Sequence, residues 1–258
     1  MSSKEMLELP TVGNHYVQLY QEATQLSDAV CHFIADRLTD QEGIIIVATS
    51  LHTDIFCTSL TFRGYDPNEL IKKGQLTLLD AHTLLASFMV NGMPNAQLFL
   101  DAVSPIFRKV FSRFSSARVY GEMVNILWKN EEKESAIQLE MLWNALLKDY
   151  NFSLLCAYEI DNLNHANYTE ALDCICTTHT HLLSPQESNQ FEKVILDASK
   201  EVTSVDMSSM IYSNSKLGHP TTLMPAAQAS LFHLSKTMPL ELEKILDKVK
   251  VDLAHTPT

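Results

Sequence analysis

The sequence predicts an α/β fold in which helices flank a mainly parallel sheet and an all-helical appendage follows at the C-terminus. Short apolar segments alternate with helical stretches over the first 160 residues, as expected of successive βαβ units. One of these segments, 43–49, is a continuous β-branched run, which is typical of a strand buried on both faces. Past Ile160 the sequence has no further strand pattern, so the remaining residues are expected to be helical.

The strands are expected in five segments. The first alternates polar and apolar side chains with period two, and the others are short apolar runs bounded by turn residues. The predicted strands are 15–20, 43–49, 75–79, 117–120 and 152–158.

The helices between these strands are predicted from apolar stripes at helical spacing. Val30, Phe33 and Ile34, for example, share one face of the first helix. Asp66 is placed to cap a helix that opens with Pro67. The predicted helices are 27–38, 51–62, 67–72, 81–89, 96–114 (interrupted at Ser104 and Pro105), 123–128 and 134–150.

The chain is expected to divide into four parts. Residues 1–160 form the α/β core, 161–203 are trailing helices packed on it, 204–222 are a linker rich in Ser, Asn and Gly, and 223–258 are the helical appendage. The helices predicted in the second half are 168–181, 185–202, 225–233 and 239–253. The apolar content of the appendage exceeds what a solvated tail needs, so we expect it to pack on the core or on a partner.

Composition excludes several classes of protein. The net charge of −12 argues against direct nucleic-acid binding, because phosphate recognition needs clustered Lys and Arg. The chain has no stretch of about 18 uninterrupted apolar residues that could span a bilayer. Residues 1–10 lack the apolar region of a secretion signal, and the five cysteines are an odd count. A cytoplasmic protein without membrane insertion is expected.

The spacing of the glycines argues against nucleotide chemistry. The seven glycines stand at positions 13, 43, 64, 74, 92, 121 and 218, so no two are close in sequence. Phosphate-binding loops need closely spaced glycines, because side chains keep backbone N–H groups away from the anion. Neither a dinucleotide fingerprint nor a Walker A loop fits this chain. The sequence therefore predicts no cofactor and no catalytic activity.

Several blocks of the sequence together resemble one known family, the MEDS domain. This is a sensory module named for methanogens, methylotrophs and the dichloromethane regulator DcmR. The resemblance covers residues 14–187 and rests on an ordered set of blocks: His15 with Gln18 and Tyr20, 43–49, 79–81, 121–124 with 127–128, 139–140 with 143–144, 152–158, and 175–176 with His179.

The resemblance implies a fold of the RecA/KaiC type that lacks the Walker A loop. It also implies binding of a small ligand and fusion to a histidine-kinase or helix-turn-helix output. This chain departs from the second pattern, since it has no kinase ATP-binding motif and no helix pair with a basic face.

The candidate ligand site is the carboxyl edge of the sheet, where α/β proteins bind their ligands. The candidate residues are His15, Tyr20, Ser50, His52, Asp80, Glu122, Cys156 and Tyr158. Each has an alternative structural role. Asp80 and Glu122 could cap the helices that they precede, Cys156 could be a buried apolar residue, and His15 could hydrogen-bond beside the first strand.

The segment from Cys174 to His181 contains two cysteines and two histidines, which are ligand types for zinc or copper. On a helix Cys174 and Cys176 point to different faces, and only Cys176 and His179 could share one. No metal site is therefore predicted, with Cys176 and His179 as the weak candidates.

The sequence thus predicts a non-catalytic sensory module that binds a small organic ligand at the strand ends. It would relay binding to a signalling partner, and we expect it to form a homo-oligomer. The alternative is an interaction or dimerisation module on the same fold that binds no ligand. The weakest hypothesis is that the chain is an enzyme that uses Glu122 or Cys156, because no partner base stands at a recognisable spacing from either residue.

Overall fold

The computed structural model describes residues 7, 10–35, 41–161, 163–165, 172–183, 189–204 and 224–254. Its centre is a sheet of six strands, which are β1 (His15–Tyr20), β2 (Glu42–Ala48), β3 (Leu76–Asp80), β6 (Ser116–Gly121), β7 (Phe152–Glu159) and β8 (His181–Leu183). The strand order is β3-β2-β6-β7-β1-β8, and every neighbouring pair is parallel. The remaining pair, β4 (Met89–Val90) and β5 (Met93–Pro94), forms a small antiparallel hairpin.

Helices cover both faces of the sheet. In chain order they are α1 (Ala23–Ala35), α2 (Ser50–Phe62), α3 (Pro67–Lys72), α4 (Ala81–Ala86), α5 (Ala96–Phe111), α6 (Met123–Lys129), α7 (Lys133–Asp149), α8 (Leu172–Thr178), α9 (Asn189–Thr203), α10 (Ala226–Thr237) and α11 (Pro239–Ala254). None of the helices within the described residues is long and apolar enough to cross a membrane.

The two faces of the sheet bury separate apolar clusters, because successive side chains of a strand point to opposite sides. On one face Ile44 and Ile46 of β2 pack with residues of α1, α2 and α3. On the other face Val17 of β1 and Leu154 of β7 pack with residues of α4 to α8. Since both faces are covered, all six residues of β1 are buried despite their alternating polarity in sequence.

The predicted fold class is confirmed, but the second half of the chain differs from expectation in one respect. Residues His181–Leu183 form a sixth strand, β8, which pairs in parallel with β1, although no strand was expected past Ile160. The helix predicted over 168–181 is found as α8, and it ends at Thr178. The strand was not recognised because it is only three residues long. The predicted linker, 204–222, lies outside the described residues except for Ser204.

Pro105 also behaves differently from expectation. It lies inside α5, which runs from Ala96 to Phe111 without interruption. A proline removes one helical hydrogen bond and usually kinks or breaks a helix. Here Phe99, Val103, Phe107 and Val110 bury one continuous face of α5, and their burial offsets that cost.

The C-terminal helices belong to the apolar cluster on one face of the sheet. Helix α11 packs against α9 and α10, and its residues Leu242, Ile245, Leu246 and Val249 belong to the same apolar cluster as Val17 of β1. The apolar content of the appendage is thus explained by packing within the chain.

We predict that the α11 contacts stabilise the whole fold. Leu246→Ala should lower the free energy of unfolding by about 2–5 kcal/mol, because Leu246 is 1% exposed and its loss leaves a cavity. Leu240→Ala on the same helix is the matched control, since Leu240 is 73% exposed and its change should stay within about 0.5 kcal/mol. Urea denaturation measures both. Equal effects of the two substitutions would show that α11 does not pack on the core in solution.

Candidate functional site

At the carboxyl edge, Glu122 follows β6 and reaches across to the start of α2. Its carboxylate accepts hydrogen bonds from the Thr49 backbone N–H (2.7 Å) and from Nδ1 of His52 (2.7 Å). Its side chain is 5% exposed, and that of His52 is 14% exposed. Although Glu122 occupies the N-cap position of α6, its side chain makes no capping hydrogen bond there. Glu122 therefore joins the ends of β2 and β6 instead of capping its own helix.

The turn between β2 and α2 consists of Thr49 alone. Thr49 is the N-cap of α2, and its side chain accepts a hydrogen bond from the backbone N–H of His52. A negative charge is favourable at a helix N-terminus, where N–H groups lack helical partners. The carboxylate of Glu122 supplies that charge from within the chain.

Tyr20 stands at the end of β1 and is buried. Its hydroxyl accepts a hydrogen bond from Nδ2 of Asn125 (3.0 Å), while Oδ1 of the same amide accepts one from the Glu159 backbone N–H (2.9 Å). Burial, followed by the charges of Glu159 and Glu122, raises the pKa of Tyr20. Tyr20 is therefore a neutral hydrogen-bonding group in the wall of this edge.

Asp80 ends β3 and caps α4. Its carboxylate accepts hydrogen bonds from the backbone N–H (2.7 Å) and the hydroxyl (2.7 Å) of Thr83, which lower the pKa of Asp80. The capping role considered for Asp80 is thus observed. Asp80 and Ser50 nevertheless line one shallow cavity of about 210 Å³ between β3 and the first turns of α2. The lining residues are Ala48, Ser50, Thr53, Asp54, Leu78, Leu79 and Asp80.

The remaining candidates lie not at the edge but in the interior. Cys156 and Tyr158 of β7 are fully buried and both contact the carboxylate of Glu140 in α7. The Tyr158 hydroxyl donates to Oε1 at 2.8 Å, and the Cys156 thiol donates to Oε2 at 3.4 Å. These two side chains do not extend the row of polar groups at the carboxyl edge, because they point into the layer between the sheet and α7.

Two histidines complete this interior cluster. Nε2 of His15 lies 3.3 Å from Oε2 of Glu140 and 3.3 Å from Sγ of Cys156. Nε2 of His179 lies 3.2 Å from Oε1 of Glu140, and the two imidazole rings are 4.0 Å apart. We call His15, Glu140, Cys156 and His179 the interior tetrad. One ligand atom of each lies within 4.8 Å of those of the other three, so the tetrad could hold a metal ion.

The orientation of each imidazole is fixed from outside the tetrad. Nδ2 of Asn144 donates to the carbonyl of Thr178 (2.7 Å), so Oδ1 of Asn144 faces Nδ1 of His15 at 3.0 Å and accepts a hydrogen bond from it. Nδ1 of His179 lies 2.7 Å from the carbonyl of Ile175, which can only accept. Both Nδ1 atoms therefore carry hydrogen, and the Nε2 atoms point at Glu140.

Burial and mutual charge set the protonation of the tetrad. Burial lowers the pKa of His15, nearby His179 lowers it further, and attraction to Glu140 opposes both. Burial alone would raise the pKa of Glu140, but the two histidines outweigh it and hold that pKa well below 4.5. Burial, with the charge of Glu140, raises the pKa of the Cys156 thiol. The cluster thus combines an ionised carboxylate with a protonated thiol, and burial opposes a positive charge on His15.

Sequence reasoning did not propose Glu140 or Asn144 as site residues. Both lie on α7 at positions i and i+4, and Glu140 stands on the same buried face as Leu139 and Trp143. A glutamate within an apolar helical stripe was the available signal. Of the two weak metal candidates, His179 joins the interior tetrad, whereas Cys176 is buried in the apolar cluster and does not.

We predict that stability falls as the pH is lowered from 7.5 to 5.5. The pKa of His15 is lower in the folded chain than its ordinary 6.5, so the unfolded chain binds more protons as the pH falls through 6.5. Buried His181 has a lowered pKa for the same reason and adds to this loss. Glu140 contributes only below its ordinary 4.5. Each histidine lowers the free energy of unfolding by at most about 1.4 kcal/mol for each unit by which the pH falls.

Urea denaturation in a buffer with a chelator measures this dependence without interference from metal ions. His15→Asn should show a smaller loss of stability between the two pH values than the wild type. His82→Asn, at an exposed position, is the control and should keep the wild-type dependence. An unchanged dependence in His15→Asn would contradict the assignment.

Comparisons with known proteins identify a family. No curated protein is significantly similar to the chain. Among solved structures, a KaiC-like protein from Pyrococcus horikoshii OT3 is similar over 57% of this chain, with 16% identity and a TM-score of 0.41. The chain spans 64% of that protein, and a likeness at this level supports no functional conclusion.

The family profile described as the MEthanogen/methylotroph, DcmR Sensory domain matches residues 14–180. The matched range runs from β1 through α8, and it includes all four residues of the interior tetrad together with Glu122 and His52. The resemblance seen in the sequence is thereby confirmed, and the chain belongs to the MEDS family of sensory domains.

Proposed function

We propose that this chain is a non-catalytic sensory module that binds a small organic ligand at the carboxyl ends of β2 and β3. The observation that carries the proposal is the cavity of about 210 Å³ between β3 and α2, which brings Ser50 and Asp80 together. Cavities at the carboxyl ends of parallel strands are the usual ligand sites of α/β sheets. Membership of a sensory family supports the same role.

The lining of this cavity favours a particular kind of ligand. Leu78 and Leu79 supply an apolar wall, while Asp54 and Asp80 supply two exposed carboxylates. One oxygen of Asp80 is engaged by Thr83 in capping α4. Carboxylates beside an apolar wall favour a small molecule that combines a short hydrocarbon part with a positive charge or hydrogen-bond donors.

The contacts of Glu122 support a non-catalytic role without a nucleotide. In phosphate-binding α/β folds the N–H groups at the start of a helix that follows a strand bind the anion. Here the Glu122 carboxylate accepts the Thr49 N–H and the His52 imidazole N–H at the start of α2. An incoming phosphate would meet this negative charge and would have to displace it.

Helix α2 provides a route from the cavity to the rest of the edge. Ser50, Thr53 and Asp54 line the cavity, while Thr49 and His52 of the same turn hold Glu122. A ligand with higher affinity for one conformation of this turn would increase the population of that conformation, since only differential affinity shifts a conformational equilibrium. We propose that a signalling partner, or a second copy of the chain, reads that change.

A specific observation supports the alternative, a module for protein–protein contact without a ligand. Leu51 and Phe62 lie on one side of α2 and are 66% and 88% exposed.

If protein–protein contact alone is the function, Phe62→Ser should abolish self-association as measured by light scattering. No small molecule should then change the melting temperature of the protein.

We predict that Asp80→Asn weakens the response to ligand. A thermal-shift screen with small alkylammonium compounds, alcohols and carboxylates should give stabilisation by cations or alcohols and none by carboxylates. Asparagine caps helices about as well as aspartate, so Asp80→Asn should melt near the wild type but lose most of the shift.

Asp66→Asn is the matched control for this experiment. Asp66 is also an exposed N-cap aspartate, since it accepts hydrogen bonds at the start of α3, but it does not line the cavity between β3 and α2. It should keep the full shift. Equal responses of the two variants, or no response to any compound, would count against a ligand at this edge.

A further inference from the structure

The interior tetrad lies apart from the proposed ligand cavity, and its geometry calls for a separate explanation. His15 comes from β1, Cys156 from β7, Glu140 from α7, and His179 from the connection between α8 and β8. The first and last of these residues are far apart in sequence, and all four side chains are buried. Burying four groups of this kind is costly unless each is satisfied.

The fixed tautomers place lone pairs opposite one another. When His15 is neutral, its Nε2 has a lone pair that faces an oxygen of the Glu140 carboxylate at 3.3 Å, and His179 faces the other oxygen at 3.2 Å. Protonating both imidazoles would put two positive charges in rings 4.0 Å apart, which is unfavourable. A single positive ion between these atoms would remove the repulsion.

Three of the donor atoms are spaced as in a tetrahedral metal site, and the fourth lies beside them. Around an ion held at about 2.0–2.3 Å by nitrogen, oxygen and sulfur, tetrahedral ligand atoms lie roughly 3.3–3.7 Å apart. Nε2 of His15, Oε2 of Glu140 and Sγ of Cys156 lie 3.3, 3.3 and 3.4 Å from one another. Nε2 of His179 lies 3.2 Å from the other carboxylate oxygen, and one ligand atom of each of the four residues lies within 4.8 Å of the rest.

The surroundings of the tetrad resemble the outer shell of a metal site. Metal-binding histidines usually donate their second N–H to a carbonyl or carboxylate, which fixes the tautomer and ring orientation. His15 donates to the amide oxygen of Asn144, and His179 donates to the carbonyl of Ile175. The Tyr158 hydroxyl holds the Glu140 carboxylate in the same way.

We propose that His15, Glu140, Cys156 and His179 bind one divalent transition-metal ion, with Zn²⁺ the best match to the ligand set. Two imidazoles, a carboxylate and a thiolate are all ligands that this ion accepts in four-coordinate sites. Mg²⁺ and Ca²⁺ prefer oxygen ligands and fit this set poorly.

Binding exchanges a proton for the ion. The Cys156 S–H bond breaks, the sulfur donates the freed electron pair to the metal, and the proton leaves to the buffer. The charge of the bound cluster is then balanced, because the carboxylate and the thiolate offset the two positive charges of the ion. Since the tetrad is buried, we expect the ion to enter as the chain folds.

The test is to refold residues 1–258 with Zn²⁺ or Co²⁺ after removal of metal by a chelator. One equivalent of Zn²⁺ should bind, as measured by competition with a chromogenic chelator. The Co²⁺ form should show the visible absorption of a tetrahedral site and a thiolate-to-cobalt charge-transfer band.

Cysteine variants identify the sulfur ligand. Cys156→Ala should lose the charge-transfer band, whereas Cys176→Ala should keep it. The second is a matched control, because Cys176 is also a fully buried cysteine in the same apolar cluster. Asn144→Ala leaves all four ligands in place and should weaken Zn²⁺ binding by about 10–100-fold through loss of the His15 partner.

Two results would overturn the proposal. One is that wild-type protein refolded in the presence of Zn²⁺ or Co²⁺ binds less than one equivalent of the ion. The tetrad would then be a metal-free hydrogen-bonded cluster. The other is a charge-transfer band that survives Cys156→Ala, which would place the ion elsewhere. Neither result bears on the ligand cavity, whose thermal-shift test uses other residues.

Discussion

The arrangement of the interior depends on one buried carboxylate. Glu140 has no exposed surface, yet it lies between the sheet and α7, where a charge without partners would be strongly destabilising. Tyr158, Cys156 and the two histidines surround it from three other parts of the chain. Satisfying this one group therefore fixes how β1, β7, α7 and the connection to β8 pack together.

The carboxyl edge of the sheet differs from the interior in its exposure to solvent. There Glu122 is also nearly buried, but it interacts with a backbone N–H and an imidazole that is partly exposed to solvent. The adjacent cavity is open and shallow, with its carboxylates toward solvent. The proposed small-molecule site is therefore open to solvent, whereas the proposed metal ligands are enclosed by the fold.

Local patterns in the sequence predicted most of the elements. The β-branched run at 43–49 and the alternating segment at 15–20 both form strands, because short apolar segments between turns have few other stable states. β8 was not predicted, because three residues are too few to show the alternating pattern of a strand. α5 remained whole because its buried face outweighs Pro105, an effect that depends on tertiary packing rather than local preference.

The candidate sites were predictable only in part, for a related reason. Ser50 comes just after β2 and Asp80 ends the neighbouring strand β3, so their proximity follows from the sheet order. The contact of His15 with Glu140, Cys156 and His179 depends on which face each side chain takes and on how α7 lies over β7. A single sequence does not encode that information in any short motif.

The brevity of β8 has a consequence for self-association. β8 is the outer neighbour of β1 and has three residues, so the sheet offers a very short backbone edge on that side. A second sheet could form few interchain hydrogen bonds with so short an edge, and such edges are a common protection against fibre-like stacking. Within the described part of the chain, pairs of molecules would therefore have to meet through side chains on the helices or through the opposite strand, β3.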